Sequence, residues 1–224
     1  MLETFNFRVI WATMPQFLHG LGATAWISLV ALVGAMLVGI LACVMRLSGR
    51  RLLALPAVVF IEVIRSTPLL AQLYFFYFGL PGLGLRFSET QTGIVALSLN
   101  SGAYVAEIIR AGVMSIPRGQ TEAAAASGLN LYQRLRYIIL PQAIGVTIPA
   151  LLGQMIVLVK DSALLALISV FELTRAGQLM ASERFMPAEG FFTTAVFYLL
   201  LYFVLKFASG QWQKRLIFRP AGGV

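Results

Sequence analysis

Residues 122–141 read EAAAASGLNLYQRLRYIILP, and they decide how the rest of the chain is read. The sequence on either side is mostly apolar. Here one glutamate precedes a run of alanines, a glycine follows, and two arginines stand ahead of the next apolar segment. Alanines behind Glu122 have high helix propensity, so 119–127 is predicted to be helical. Gly128 can take the left-handed conformation that ends a helix. Asn130 can cap a second helix, with Gln133 as its capping-box partner three residues on. That helix would carry Leu131, Leu135, Ile138 and Ile139 on one face and Gln133, Arg134 and Arg136 on the other. Pro141 is expected to mark its exit. The stretch therefore predicts two short helices around a turn, too polar to cross a bilayer. Its small alanines admit the groove of another protein, and Glu122 offers a charged anchor. By pattern alone, a handle for a partner and an amphipathic loop on the membrane surface both fit.

The surroundings narrow the choice. The chain has 224 residues, 59% hydrophobic and only 12% charged. A soluble domain carries about twice that charge and needs more polar surface to cover itself. Composition places the chain in the membrane class, as a single all-α domain over 1–224 with its core at 20–219 and the elbow at 119–141. The net charge of +8 does not point to nucleic acid. The arginines flank apolar runs, as membrane topology requires, and no soluble basic face is left for a nucleic acid. The single cysteine, Cys43, lies in an apolar run. It rules out an intrachain disulfide or a cysteine-based metal cluster and is expected to be buried and inert. His19, the only histidine, precedes the first span and is expected at the interface, not as a metal ligand or a base. The opening MLETFNFRVI lacks a basic n-region, so no cleaved leader is expected.

A spanning helix needs about 20 mostly apolar residues. Five segments qualify, at about Gly20–Met45, Leu53–Leu80, Thr92–Val113, Gln142–Val170 and Gly190–Ala208. As one helix the second would reach about 42 Å against a core near 30 Å, and Pro68 offers a break within it. Pro149 blurs the start of the fourth. The aromatic run Tyr74–Phe78 suits either an interfacial belt or a gate. Residues 1–16 read as an interfacial segment. Arg46, Arg50, Arg51, Arg118, Arg134, Arg136, Lys206, Lys214, Arg215 and Arg219 fall on one side, against Arg8, Arg86, Arg175 and Arg184 on the other. This bias puts the N-terminus outside, and the elbow and C-terminus in the cytoplasm.

The spacing Glu122-Ala123-Ala124, Gly128, Ile138, Leu140, Pro141 resembles the EAA signature of ABC importer permeases at every fixed position. Further residues resemble the polar amino acid permease family: Ile64–Leu70, Ser101–Tyr104, Glu107–Gly112, Ser115–Gln120, Leu140–Ala143 and Lys160–Ser162. The matches run from the second span to the fourth. Ala163 departs from the hydroxyl residue that many relatives carry there. The resemblance implies the type I importer permease fold in a bacterial inner membrane, with the elbow as a coupling helix. It also implies two cytoplasmic ABC ATPase subunits, a second permease subunit (identical or paralogous) and a periplasmic amino-acid-binding protein. ATP binding would close the ATPases and swing the pore by alternating access. The chain has no G-x-x-x-x-G-K-[ST] loop, so no ATPase site, cofactor or metal is expected on it, and ATP with Mg would sit on the partner.

Ionisable residues inside a membrane suggest function. Glu62 and Arg65, like Glu107 and Arg110, stand three apart and can neutralise each other or serve a pathway. Arg65 precedes Ser66-Thr67-Pro68, where a break would free backbone to face a cavity. Its guanidinium suits the α-carboxylate of an amino acid. Asp161, beside Ser162, suits the α-ammonium, and Lys160 suits substrate or gate. Gln72, Asn100, Ser101 and Tyr104 either line the cavity or hold helices together. The expected activity is ATP-driven import of a polar amino acid, with glutamate, aspartate or glutamine favoured. An ion-gradient-driven secondary transporter would use the same membrane charges without needing a handle. A membrane enzyme has no HExxH or GxSxG to support it.

Overall fold

A computed structural model describes residues 5–216 of the chain. The first four residues of the expected interfacial segment, Arg219, and the side chains of Lys214 and Arg215 lie outside that description. Among the described residues four helices are long and apolar enough to cross a membrane, and a bent pair, Arg51–Ser66 with Leu69–Leu83, makes a fifth if its halves form one span.

Helix α1 (Phe7–Leu47) begins well before the expected Gly20. Asn6 caps it by accepting from the Arg8 N–H at 3.1 Å, and the Asn6 N–H donates to Glu189 Oε1 at 3.0 Å. The early residues are not merely interfacial. Val9, Ile10 and Phe17 pack with Leu173, Ala176 and Met180, so burial against the far end of the chain extends the helix. His19 is exposed, and its ring lies tilted against Phe171, with centroids 5.0 Å apart.

The second apolar segment breaks at Pro68. Helix α2 (Arg51–Ser66) ends there, α3 (Leu69–Tyr74) leads into a π-turn at Phe75–Gly79 and a 3₁₀ turn at Leu80–Leu83, and the two halves meet at 109°. Proline lacks an N–H and pushes the preceding residue out of the helical region. Thr67 is accordingly extended, at φ −115° and ψ 143°.

Helix α4 (Glu89–Met114) is the centre of the bundle, opened by a Ser88–Gln91 capping box. It crosses α1 closely enough that a Cβ on Gly39 would sit 2.5 Å from Val105, and one on Gly102 would sit 2.8 Å from Val38. Without a hydrophobic drive between helices in lipid, such small residues let the backbones meet and gain dispersion contacts. The Ser98 hydroxyl donates across the same seam to the Ala31 carbonyl at 3.2 Å.

The elbow follows as α5 (Arg118–Ala126) and α6 (Leu131–Arg134). The chain does not leave the helix at Pro141. A π-turn at Leu135–Ile139 carries α6 directly into α7 (Leu140–Asp161), with Pro141 in its first turn. The wider turn accommodates a ring that would clash with the carbonyl four residues back and a bond that proline cannot make. Pro149 lies within α7. A 3₁₀ segment at Ser162–Ile168 leads to α8 (Leu173–Glu183), and α9 (Pro187–Leu216) packs beside it.

Candidate functional site

The break at Pro68 opens onto a cavity of about 470 Å³, within the usual range for small-molecule pockets. Arg65 and Ser66 come from the end of α2, Asn100 and Tyr104 from α4, and Gln154 and Asp161 from α7. Asn100 and Tyr104 stand one helical turn apart and Gln154 and Asp161 two turns apart, so each pair shares a face. Leu69 and Val157 supply apolar wall.

Arg65 does not pair with Glu62. Its guanidinium lies over the Tyr104 ring, 5.4 Å from the centroid, and its Nη1 stands 3.6 Å from Glu107 Oε2. That distance is beyond a hydrogen bond. Glu107 is already held more tightly. Its Oε1 accepts from Arg46 Nη1 and Arg110 Nε, both at 2.7 Å, and its Oε2 from Arg110 Nη2 at 3.1 Å. With its carboxylate committed to these two arginines, Arg65 is left with donors free. Glu107 therefore stands behind the cavity and does not line it. The sequence shows the Glu107–Arg110 spacing but not Arg46, which comes from another helix.

Gln72 is not part of the cavity wall. Its Nε2 donates to the Ile64 carbonyl at 2.8 Å, the Thr67 carbonyl at 3.1 Å and Thr67 Oγ1 at 2.8 Å, while its Oε1 accepts from Asn100 Nδ2 at 3.0 Å. It satisfies the carbonyls freed by the break, so that irregular backbone can stand beside the cavity at membrane depth. Ser162 is fully buried and its hydroxyl donates to the Val159 carbonyl at 2.8 Å. It turns inward from the cavity. Lys160 is exposed and outside the lining. Ser101 is buried beneath the cavity, 3.4 Å from Gln154 Nε2. Gln154 escaped the sequence reading, although its spacing to Asp161 was there to be seen.

Glu172 escaped it as well, hidden between apolar runs. It is fully buried. Its Oε1 accepts from the Arg175 N–H at 2.8 Å, capping α8, and its Oε2 from the Tyr198 hydroxyl at 2.9 Å and Thr24 Oγ1 at 3.5 Å. Burial pushes its carboxyl up, against hydrogen bonds from Thr174, Tyr198 and the Arg175 N–H, which pull it down. It ties α1, α8 and α9 together at the end of the molecule away from Arg46.

The elbow is a second candidate of a different kind. Gly128 takes φ +79°, and nothing lies within 4 Å of where its Cβ would be. Asn130 and Gln133 form the capping box, each accepting from the other's N–H at 2.9 Å. Glu122 and Ala123 are exposed, and Ala124 is buried. The apolar face of the second helix is largely uncovered in this subunit: Leu131 is 65% exposed, and Leu140 and Pro141 are open as well, with Ile138 half-buried. Arg134 Nε is buried with no partner among the described residues.

A family model described as the binding-protein-dependent transport system inner membrane component matches residues 35–218. The glutamine transport system permease protein GlnP of Escherichia coli strain K12 is 40% identical over 214 residues, 95% of this chain and 98% of that protein. A crystal structure of an amino acid ABC transporter with histidines has a TM-score of 0.91 at 35% identity, covering 95% of this chain and 99% of that one. The methionine ABC transporter MetNI in an inward-facing conformation shares the fold, with a TM-score of 0.76 at 21% identity.

Proposed function

The chain belongs to the binding-protein-dependent transport system inner membrane component family and is a permease subunit of an ABC amino acid importer, and we propose from that premise that its cargo is glutamine. Family membership sets aside the ion-gradient transporter, which uses no such subunit. One observation carries the choice of cargo. The cavity lining holds one cation, Arg65, one anion, Asp161, and two neutral amides, Asn100 and Gln154. Arg65 suits the α-carboxylate and Asp161 the α-ammonium. What remains polar for the substrate side chain is neutral, the two amides with the hydroxyl residues Ser66, Thr67 and Tyr104, and can hydrogen-bond glutamine without a charge to balance. Glutamate or aspartate would bring a second carboxylate with no second cation in the lining, and an unpaired charge in such a place is costly. The glutamine permease among the relatives supports the same cargo.

In this reading the chain sits in a bacterial inner membrane, N-terminus outside and C-terminus in the cytoplasm. A second permease, two ATPase subunits holding ATP and Mg, and a periplasmic binding protein complete the importer. Glu122, Ala123, Ala124, Gly128, Ile138, Leu140 and Pro141 form the coupling surface. The exposure of Glu122 and Ala123 on α5, which the Gly128 turn joins to α6 and the π-turn then carries into α7, supports it. Alternating access then follows from force entering at the elbow and moving α7, which carries Asp161 and Gln154, against Arg65 on α2. Lys160 and Ser162 act beside the pathway, Lys160 from the exposed side and Ser162 by fixing the end of α7.

The test is uptake into proteoliposomes holding the complete importer. Glutamine is expected to accumulate with ATP inside, and a tenfold excess of glutamate or aspartate is expected to leave it nearly unchanged. Glutamate or aspartate uptake with no glutamine uptake would overturn the assignment.

A further inference from the structure

A second concavity lies far from this site in character. A groove of about 280 Å³ runs between α1 and α2, lined by Val38, Leu41 and Met45 on one side and Pro56, Ala57 and Phe60 on the other, with no charged side chain. Its floor is the buried cluster of Ala42, Cys43, Ile61 and Ala106. The two helices are joined by the short turn 48–50, so both walls climb toward the same place. At that turn stand Arg50 and Arg51, both exposed. Neither makes an ion pair among the described residues, and no acidic side chain stands in the first turn of α2. Arg46, one turn back, is already committed to Glu107 at 2.7 Å.

We propose that this groove is a binding site for an anionic phospholipid, with an acyl chain between α1 and α2 and the phosphate at Arg50 and Arg51. The occupant is an amphiphile, because the slot is apolar and the turn that joins its two walls carries two arginines with no ion pair among the described residues. A soluble anion would leave the slot empty. From Val38 to Met45 the groove is about 10 Å long, less than the apolar half-thickness of a bilayer near 15 Å, so the upper part of a single chain fits it. Guanidinium groups bind phosphate through paired hydrogen bonds, and basic sites between membrane helices select acidic headgroups. A zwitterionic lipid brings its own cation to the same place and gains less. The inference does not depend on which amino acid the importer carries.

Native mass spectrometry of the full chain, with the subunits that copurify, released from nanodiscs of phosphatidylcholine containing a minor fraction of phosphatidylglycerol, tests it. The wild type is expected to retain phosphatidylglycerol in preference to phosphatidylcholine. Arg50→Gln with Arg51→Gln is expected to lower phosphatidylglycerol retention about thirtyfold, as two interfacial charges are lost, and to leave phosphatidylcholine unchanged. Leu41→Trp, which fills the slot from an exposed position, is expected to lower retention of both lipids. Equal retention of the two lipids by the wild type, or wild-type retention in either variant, overturns the proposal. Displacement of the lipid by millimolar glycerol phosphate would reveal a headgroup-only anion site and overturn it as well.

Discussion

The helical path is interrupted at the elbow and again at Pro68, and the two interruptions are stabilised in opposite ways. The elbow is held by its own sequence neighbours: a left-handed Gly128, an Asn130–Gln133 capping box and alanine-rich turns. Almost nothing from the rest of the subunit covers it. The break at Pro68 is held from outside itself. Gln72 closes the freed carbonyls from the next helix, and Asn100 reaches across from α4 to hold Gln72. A segment capped by itself keeps its shape while presenting its surface to a partner. A segment capped by neighbours keeps its shape only as part of the bundle, and there it can shape a cavity.

That contrast can be broken by mutation. Glu122→Lys is expected to abolish ATP-driven uptake while the thermal unfolding of the subunit and its membrane insertion stay as in the wild type. Uptake above one per cent of normal would remove Glu122 from the coupling surface. Gln72→Leu should do the reverse and strike stability directly. Losing its hydrogen bonds and leaving the part-buried Ile64 and Thr67 carbonyls without their side-chain donor costs about 1–3 kcal/mol, seen as a lowered unfolding midpoint in detergent. An unchanged midpoint would mean that the break is held by something other than Gln72. Gly128→Val sharpens the comparison at the smaller end. A β-branched residue at φ +79° adds about 1–2 kcal/mol of local strain. Uptake should fall about tenfold with little change in unfolding, and normal uptake would show that the turn tolerates distortion.

The same contrast explains what is legible in the sequence. Gly128 and the Asn130–Gln133 box are encoded within a few residues, so propensity and capping rules find them. Pro68 announces its own break. Arg65, Asn100, Tyr104 and Asp161 were found because polar groups in apolar runs stand out, and they do converge on one cavity. What the residues could not disclose is partnership at a distance. Nothing local distinguishes Gln72, which staples, from Asn100, which both staples and lines the cavity. Nothing near Glu107 reveals Arg46, and nothing near Glu172 reveals Thr24 or Tyr198. Pro141 misled for a related reason, since the π-turn that absorbs it is a property of the whole helix from Leu131 to Asp161. Residues 7–16 carried too mixed a face to declare a helix that only α8 and α9 complete.

Helix α1 is fastened at two levels. Thr24 meets Glu172, and Arg46 meets Glu107. Those anchor points lie roughly 33 Å apart along the axis at 1.5 Å per residue, about the full depth of the hydrocarbon layer. A rod pinned near both membrane faces cannot tip by itself. Any rocking that widens one mouth must swing α1, α4, α8 and α9 as a single plate, and the hinge is left to the segments those pins do not reach.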